Sequence, residues 1–352
     1  MSTNGSTPRR SAVVAPDERL PRAAPVDATN RWMRRIVAVL LTVCSVVSFA
    51  YAGLSVYIAT RLAHEAPKPL IGTPAAEGLD YRDITFPSRE DHLQISGWFI
   101  PGHLPSGRLT TNRTILMVHG SRQNRTDPAA GALALSAQFV RHGFAVLAFD
   151  MRGMGVSPPA PFSLGYFEQR DVLGAVDFLR SGPLPYPELG RTHAIGGWGI
   201  SMGAATLLLA AARERAIQAV VSDSAYAAIS PILEREVPKS ASLPPLFTPG
   251  ALLAARALYG MDFYAVRPVD VVASIAPRPI FFLHGDGDDY MPPPNMGLLV
   301  DAARSAPNAQ VQSWLCPGVK HHAQCFHVAG AAYVTRVVTF FTAALGPDAG
   351  GA

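Results

Sequence analysis

Apolar residues are distributed along this chain in several distinct patterns, and each predicts a different element. Residues 1 to about 30 mix Ser, Thr, Pro, Ala and charge with no hydrophobic period, so they cannot bury enough surface to offset the entropy of ordering. From Ile36 to Thr60 no charged residue occurs. At about 1.5 Å per residue, such a helix exceeds the roughly 30 Å hydrocarbon core of a bilayer. The stretch APKPLIGTPAAEG, residues 66 to 78, is rich in Pro, Gly and Ala and reads as a linker. Beyond it, YRDITFPS and LQISGWFIP alternate apolar with polar positions, as antiparallel strands do. TILMVHG, FAVLAFD, HAIGGWG, IQAVVSD and PIFFLHG are instead nearly continuous apolar runs, which predict strands covered on both faces in a parallel sheet. Between them PAAGALALSAQFVRHG, FEQRDVLGAVDFLRSG and ATLLLAAARERA have helical length and period.

The expected organisation is a disordered tail over 1–32, a transmembrane helix over 33–62 and a linker over 63–79. An α/β domain then covers 80–346, with a mostly parallel central sheet, helices on both faces and a small helical insert at about 226–270. Residues 347–352 form a second tail. In the insert, FTPGALLAARALYG reads as one short helix with Thr248 as its cap, Pro249 in the first turn and Gly260 at its stop.

Composition narrows the picture only slightly. The 352 residues are 49% hydrophobic and 16% charged, enough for a large core and unlike a disordered or fibrous chain. The net charge of +4 does not imply a nucleic-acid partner, because many basic residues precede residue 36 rather than clustering on the folded part. Arg31, Arg34 and Arg35 crowd the amino side of the apolar run, against Arg61 and Lys68 on the other. This bias predicts a single-pass cell-membrane protein with a cytoplasmic amino terminus and an extracytoplasmic domain. Ala50-Tyr51-Ala52 before Gly53 has the form of a signal-peptide cleavage site and provides a rival reading. Three cysteines, with no Cys-x-x-Cys pair, suggest neither a disulfide framework nor a metal site. Neither a metal nor a cofactor is expected.

The candidate chemistry centres on IGGWGISMGAA, residues 195–205. A buried strand runs into an alanine-rich helix there, with Ser201 in the turn between them. So tight a turn strains its central residue, and Gly199 and Gly203 leave room for the adjoining backbone. The result is a G-x-S-x-G elbow that projects the serine hydroxyl above the sheet. A glycine-rich turn with a helix-capping serine has the same local form. A nucleophile additionally needs a histidine to take its proton and a carboxylate to orient that histidine. Both follow: PIFFLHGDGDDYMP opens into a loop with Asp286, Asp288 and Asp289, and VQSWLCPGVKHHAQCF into one with His321 and His322.

With these residues, and with MVHGSRQNR, FDMRGMGVS and the H-G-x-x-D-x-x-x-P arrangement of His284, Gly285, Asp288 and Pro292, residues 80 to 345 resemble the α/β-hydrolase superfamily. The likeness is to its membrane-anchored serine hydrolases near the serine aminopeptidase and dipeptidyl-peptidase-like branches. The resemblance implies Asp288 as the acid, with Asp286 and Asp289 as loop residues and Asp223 as a minority alternative. Counting from Gly318 favours His321 as the base, whereas the His-x-Gln-x-aromatic ending favours His322, which we adopt. The backbone N–H groups of Ser121 and Met202 would form the oxyanion hole. Asp150, Arg152, Gly153 and Gly155 would shape the adjoining loop. Cys316 and Cys325 bracket the histidine loop, either as a disulfide or as two separate apolar residues.

The function so implied is a serine hydrolase acting through an acyl-enzyme intermediate on an ester, thioester or small amide. A small acyl ester is the first expected substrate and a small peptide the second. Acyl transfer or peptidase activity on the same fold, and a non-catalytic membrane scaffold, are the alternatives.

Overall fold

In the computed structural model, described for residues 1–3, 5 and 28–348, the first element is the long helix α1, Ala28–Ala63. Most of the expected amino-terminal tail, and residues 349–352 of the carboxy-terminal one, lie outside the described residues. The chain divides into two units, Met1–Ala50 and Tyr51–Ala352. In the first, α1 is an apolar rod whose Leu41 and Phe49 are exposed. Over Asn30–Ala63 it is long and apolar enough to cross a membrane. In the second unit the last turns of α1 bury Ser55, Ile58, Ala59 and Ala63, a one-sided stripe at helical spacing. The uncharged run therefore has two functions along its length: no burial in its first part, docking onto the globular domain in its last.

The domain is built on an eight-stranded sheet. Its antiparallel edge is β1, Arg82–Pro87, and β2, Gln94–Ile100. A two-stranded ribbon, β3 at Gly102–His103 and β4 at Leu109–Thr110, follows outside the sheet. The remaining strands are β5 Arg113–Val118, β6 Ala145–Phe149, β7 Ala194–Ile200, β8 Ile217–Asp223, β9 Ile280–Gly285 and β10 Val311–Cys316. Their order is β1-β2-β6-β5-β7-β8-β9-β10, with every pair from β6 to β10 parallel. Helices α2 Ala132–Arg141, α3 Gln169–Ser181, α4 Met202–Arg213, α5 Ser230–Ala241, α6 Phe247–Tyr259, α7 Pro268–Val271, α8 Pro294–Arg304, α9 Cys325–Ala329 and α10 Ala331–Leu345 complete the chain. Along β5, Leu116 and Val118 join one hydrophobic cluster with Leu207 of α4, while Ile115 and Met117 join another with Phe341 of α10. Both faces are covered, which is why these strands read as continuous apolar runs.

Three local expectations are corrected. The insert contains two longer helices, α5 and α6, rather than one; Pro238 lies inside α5, and a proline within an apolar pattern reads as a helix end. Thr248 does not cap α6, which starts at Phe247 with Leu246 as the flanking residue and Thr248 buried inside the first turn. Gly260 does terminate it, at φ +69°. The linker is also pinned: Asn124 Nδ2 donates to the carbonyls of Lys68 and Pro69, and the Ile71 N–H donates to Thr126 Oγ1. Within it Pro74–Glu77 forms a single 3-10 turn closed by Gly78, so proline and glycine exclude neither local structure nor tertiary contact. At the other terminus the Asp348 carboxylate accepts from Thr110 and Asn112.

Candidate active site

The end of β7 and the start of α4 place Ser201 in the turn between them with φ +54°, a left-handed conformation uncommon for a residue with a side chain. Its N–H donates to the Asp223 carbonyl at 2.8 Å. The four glycines around it have separate reasons. A Cβ on Gly203 would lie 2.2 Å from the Val118 carbonyl oxygen and 2.3 Å from that of His119, and one on Gly199 would lie 2.6 Å from the Gly203 carbonyl oxygen. Those two permit the elbow. Gly196 and Gly197 instead make room for Phe341 and Leu207 on the two faces of β7.

Ser201 Oγ lies 2.7 Å from His322 Nε2, and His322 Nδ1 lies 2.7 Å from Asp288 Oδ2. The Asp288 carboxylate also accepts the N–H groups of Met291 and Tyr290, at 2.8 and 3.1 Å. Burial pushes its pKa up, but the hydrogen bond and charge of His322, with the Met291 amide and His284, outweigh burial and hold it below the usual carboxylate range. An ionised Asp288 accepts the Nδ1 proton, which leaves Nε2 free to accept from the serine hydroxyl. His321 points elsewhere: it is exposed and pairs with Asp289 at 3.2 Å.

The two loops are joined to each other. Asp286 accepts the N–H groups of Gly318 and Val319, Gly287 N–H donates to the Val319 carbonyl, and Asp289 N–H to that of Lys320. These bonds set the distance between Asp288 and His322. Cys316 and Cys325 are free and buried, and their mutual hydrogen bond together with burial pushes the Cys325 thiol well up.

Ser121 follows Gly120, on which a Cβ would stand 3.6 Å from the Ser201 Cβ; Met202 is the first residue of α4. The strand end before Ser121 is fixed by His119, a residue whose role was not legible in the sequence. The Met151 N–H donates to its Nε2 at 3.0 Å, so Nδ1 holds the proton and donates to the Gly120 carbonyl at 2.8 Å. Burial lowers its pKa and keeps it neutral. Asp150 is a loop brace, accepting the N–H groups of Arg125 and Val156, and Arg152 is paired with Asp171 and Asp91. Gly153 and Gly155 have φ of +70° and +53° in that loop. Asp223 makes no hydrogen bond to His322. Its carboxylate accepts from Ser224 and from Tyr333, which in turn accepts from Trp198, and burial raises its pKa to about 6. This brace was also missed, since Tyr333 is 110 residues away in the chain.

The sequence model described as the alpha/beta hydrolase family matches residues 115–342. The chain is 27% identical over 278 residues to the uncharacterized protein YfhR of Salmonella typhi, covering 75% of this chain and 82% of that protein. Among solved structures, the esterase Pf2001 of Pyrococcus furiosus is similar with TM-score 0.63 and 23% identity, covering 80% of this chain and 100% of that one. An acylaminoacyl peptidase of Pyrococcus horikoshii is similar with TM-score 0.53 and 16% identity, over 75% of this chain and 41% of that one. At these identities the two structures speak for the fold.

Proposed function

The chain belongs to the alpha/beta hydrolase family, and on that premise we propose that it is a serine hydrolase cleaving acyl esters with Ser201, His322 and Asp288. The observation that carries this reading is the unbroken path from Ser201 Oγ through His322 to Asp288, with both steps at 2.7 Å. In the first half-reaction Ser201 Oγ attacks the acyl carbon while His322 Nε2 takes the hydroxyl proton. The oxyanion is received by the N–H groups of Ser121 and Met202. His322 then returns the proton to the leaving alcohol, and the carbon–oxygen bond breaks to leave an acyl-Ser201 ester. A water, deprotonated by His322, attacks this ester and restores the serine. Thioesters, amides and acyl transfer use the same residues with another leaving group or acceptor.

The proposal includes a single-pass anchor with the amino terminus in the cytoplasm. In support, α1 has 36 residues, about 54 Å at 1.5 Å per residue, and its most apolar window is uncovered. Retention of the segment is supported by Tyr51, whose ring stacks on Phe247 at 5.2 Å and whose hydroxyl donates to the Leu246 carbonyl. Cleavage after Ala52 would forfeit both contacts.

The test is labelling of the full chain with a fluorophosphonate probe, alongside hydrolysis of p-nitrophenyl acetate and butyrate. Labelling and turnover are expected for the wild type, and neither for Ser201→Ala or His322→Ala. Full turnover in Ser201→Ala would end this reading.

A further inference from the structure

The last turns of α1 do more than connect. Together with α5 they enclose a cleft of about 560 Å³, within the range of small-ligand sites. Leu54, Ile58 and Leu62 of α1 face Val237, Ala241 and Leu243 across it. Its polar rim is Arg61, His64, Glu65, Ser240 and Arg122. Arg122, held by Glu65 at 2.7 Å, follows in the chain Ser121, whose N–H is assigned to the oxyanion, so one lining residue of the cleft belongs to the loop that carries that N–H. The other wall also reaches the site. Arg235 of α5 donates to the Tyr290 carbonyl, and the Tyr290 ring lies 5.3 Å from that of His322.

Helix α6 lies alongside and parallel to the end of α1: Tyr51 meets Leu246 and Phe247, and Thr60 meets Tyr259. A Cβ on Gly250 would fall 2.4 Å from Ser55 Oγ, so that glycine permits the close approach. Leu246, just before α6, Leu253 of α6 and Tyr57 of α1 remain exposed, at 57%, 68% and 61%. Exposed apolar side chains on and beside the helix that would cross the membrane fit a surface resting on lipid.

We infer that this cleft receives the acyl chain of an amphiphilic, long-chain ester drawn from the bilayer, and delivers its carbonyl to Ser201. The inference rests on the serine hydrolase and anchor readings and specifies their substrate class. The occupant follows from continuity: the α1 helix that would cross the membrane supplies one wall of the cleft. The apolar walls take the chain, and the polar rim beside Arg122 takes the ester end.

The experiment measures kcat/KM of the full chain in lipid nanodiscs for p-nitrophenyl esters from acetate to dodecanoate. Each methylene buried in an apolar site is worth about fourfold at most, so dodecanoate is expected to exceed acetate by at least about 100-fold. Ser240→Trp and Ala241→Trp, made separately at the half-open side of the cleft, are expected to lower the dodecanoate-to-acetate ratio by about tenfold or more. Leu298→Trp, on the exposed side of α8, should keep the wild-type ratio. A flat chain-length profile, or a steep one that neither cleft variant alters, would overturn the inference while leaving the hydrolase reading intact. Absence of both fluorophosphonate labelling and acetate turnover in the wild type would instead remove the hydrolase reading, and this inference with it. A variant that no longer labels is misfolded at the site, and the wild-type profile then decides.

Discussion

The Asp286 carboxylate accepts the Val319 N–H at 3.1 Å, and that of Gly318 at 3.0 Å, tying the loop after β9 to the loop after β10. Asp286 touches neither Ser201 nor His322, so its effect is on position alone. Asp286→Ala is expected to lower kcat by about 10- to 100-fold, as a misplacement near 1 Å does, with KM nearly unchanged. Asp286→Asn, which keeps one accepting oxygen, should fall between. Equal losses in kcat and in thermal stability for both variants would reduce Asp286 to a stability residue.

The glycines of the elbow should divide into two classes. Gly203→Ala sets a Cβ against two backbone carbonyl oxygens that cannot move aside, and is expected to abolish the cooperative unfolding transition of the folded domain. Gly120→Ala meets nothing nearer than 3.6 Å and should fold, with a melting temperature within about 5 °C of the wild type. Differential scanning fluorimetry in detergent checks both.

Buried Asp223 predicts a stability change with pH. Its folded pKa of about 6 lies above the unfolded value of about 3.9, so the folded state binds the proton more tightly. Stability from this group is present below pH ~4 and is lost as pH rises toward 6, by up to about 3 kcal/mol. Asp288 has the opposite sign: its depressed pKa stabilises the fold above the unfolded value and loses that contribution in acid. Asp223→Asn should therefore lessen the fall of urea-derived stability between pH 4.5 and 6.5 (a window of about these limits), leaving the share of Asp171, whose pKa burial also raises to about 6. An unchanged slope would show that Asp223 titrates normally.

For the anchor, protease added to intact cells or spheroplasts is expected to digest the catalytic domain and spare a tag at the amino terminus. The reverse pattern would invert the orientation drawn from Arg31, Arg34 and Arg35.

The cysteines give a chemical check on the base loop. With Cys316 and Cys325 free and buried, both should resist a thiol reagent in native protein prepared without reductant and react after denaturation. Failure to react even then would indicate a disulfide.

Local periodicity was sufficient for an α/β domain with a mostly parallel sheet, because a strand covered on both faces has to be apolar at every position, as TILMVHG and PIFFLHG are; the α/β-hydrolase fold was implied by the resemblance of the motifs at the strand ends. The elbow around Ser201 was legible for a similar reason: Gly199 and Gly203 are required by backbone atoms within a few residues or on the adjoining strand. Other features depended on residues far apart in sequence. His321 and His322 are chemically identical neighbours, and only the bonds joining Asp286, Gly287 and Asp289 to Val319 and its neighbours determine which imidazole reaches Ser201. Likewise, nothing in the uncharged run Ile36–Thr60 marks where it stops being bare and begins to pack, because a bilayer and a protein core both accept apolar side chains. The contacts of Tyr51 and Ser55 with α6, roughly 200 residues away (about that separation recurs along the pair), decide it, since tertiary proximity is set by the packing of whole elements and not by any local pattern.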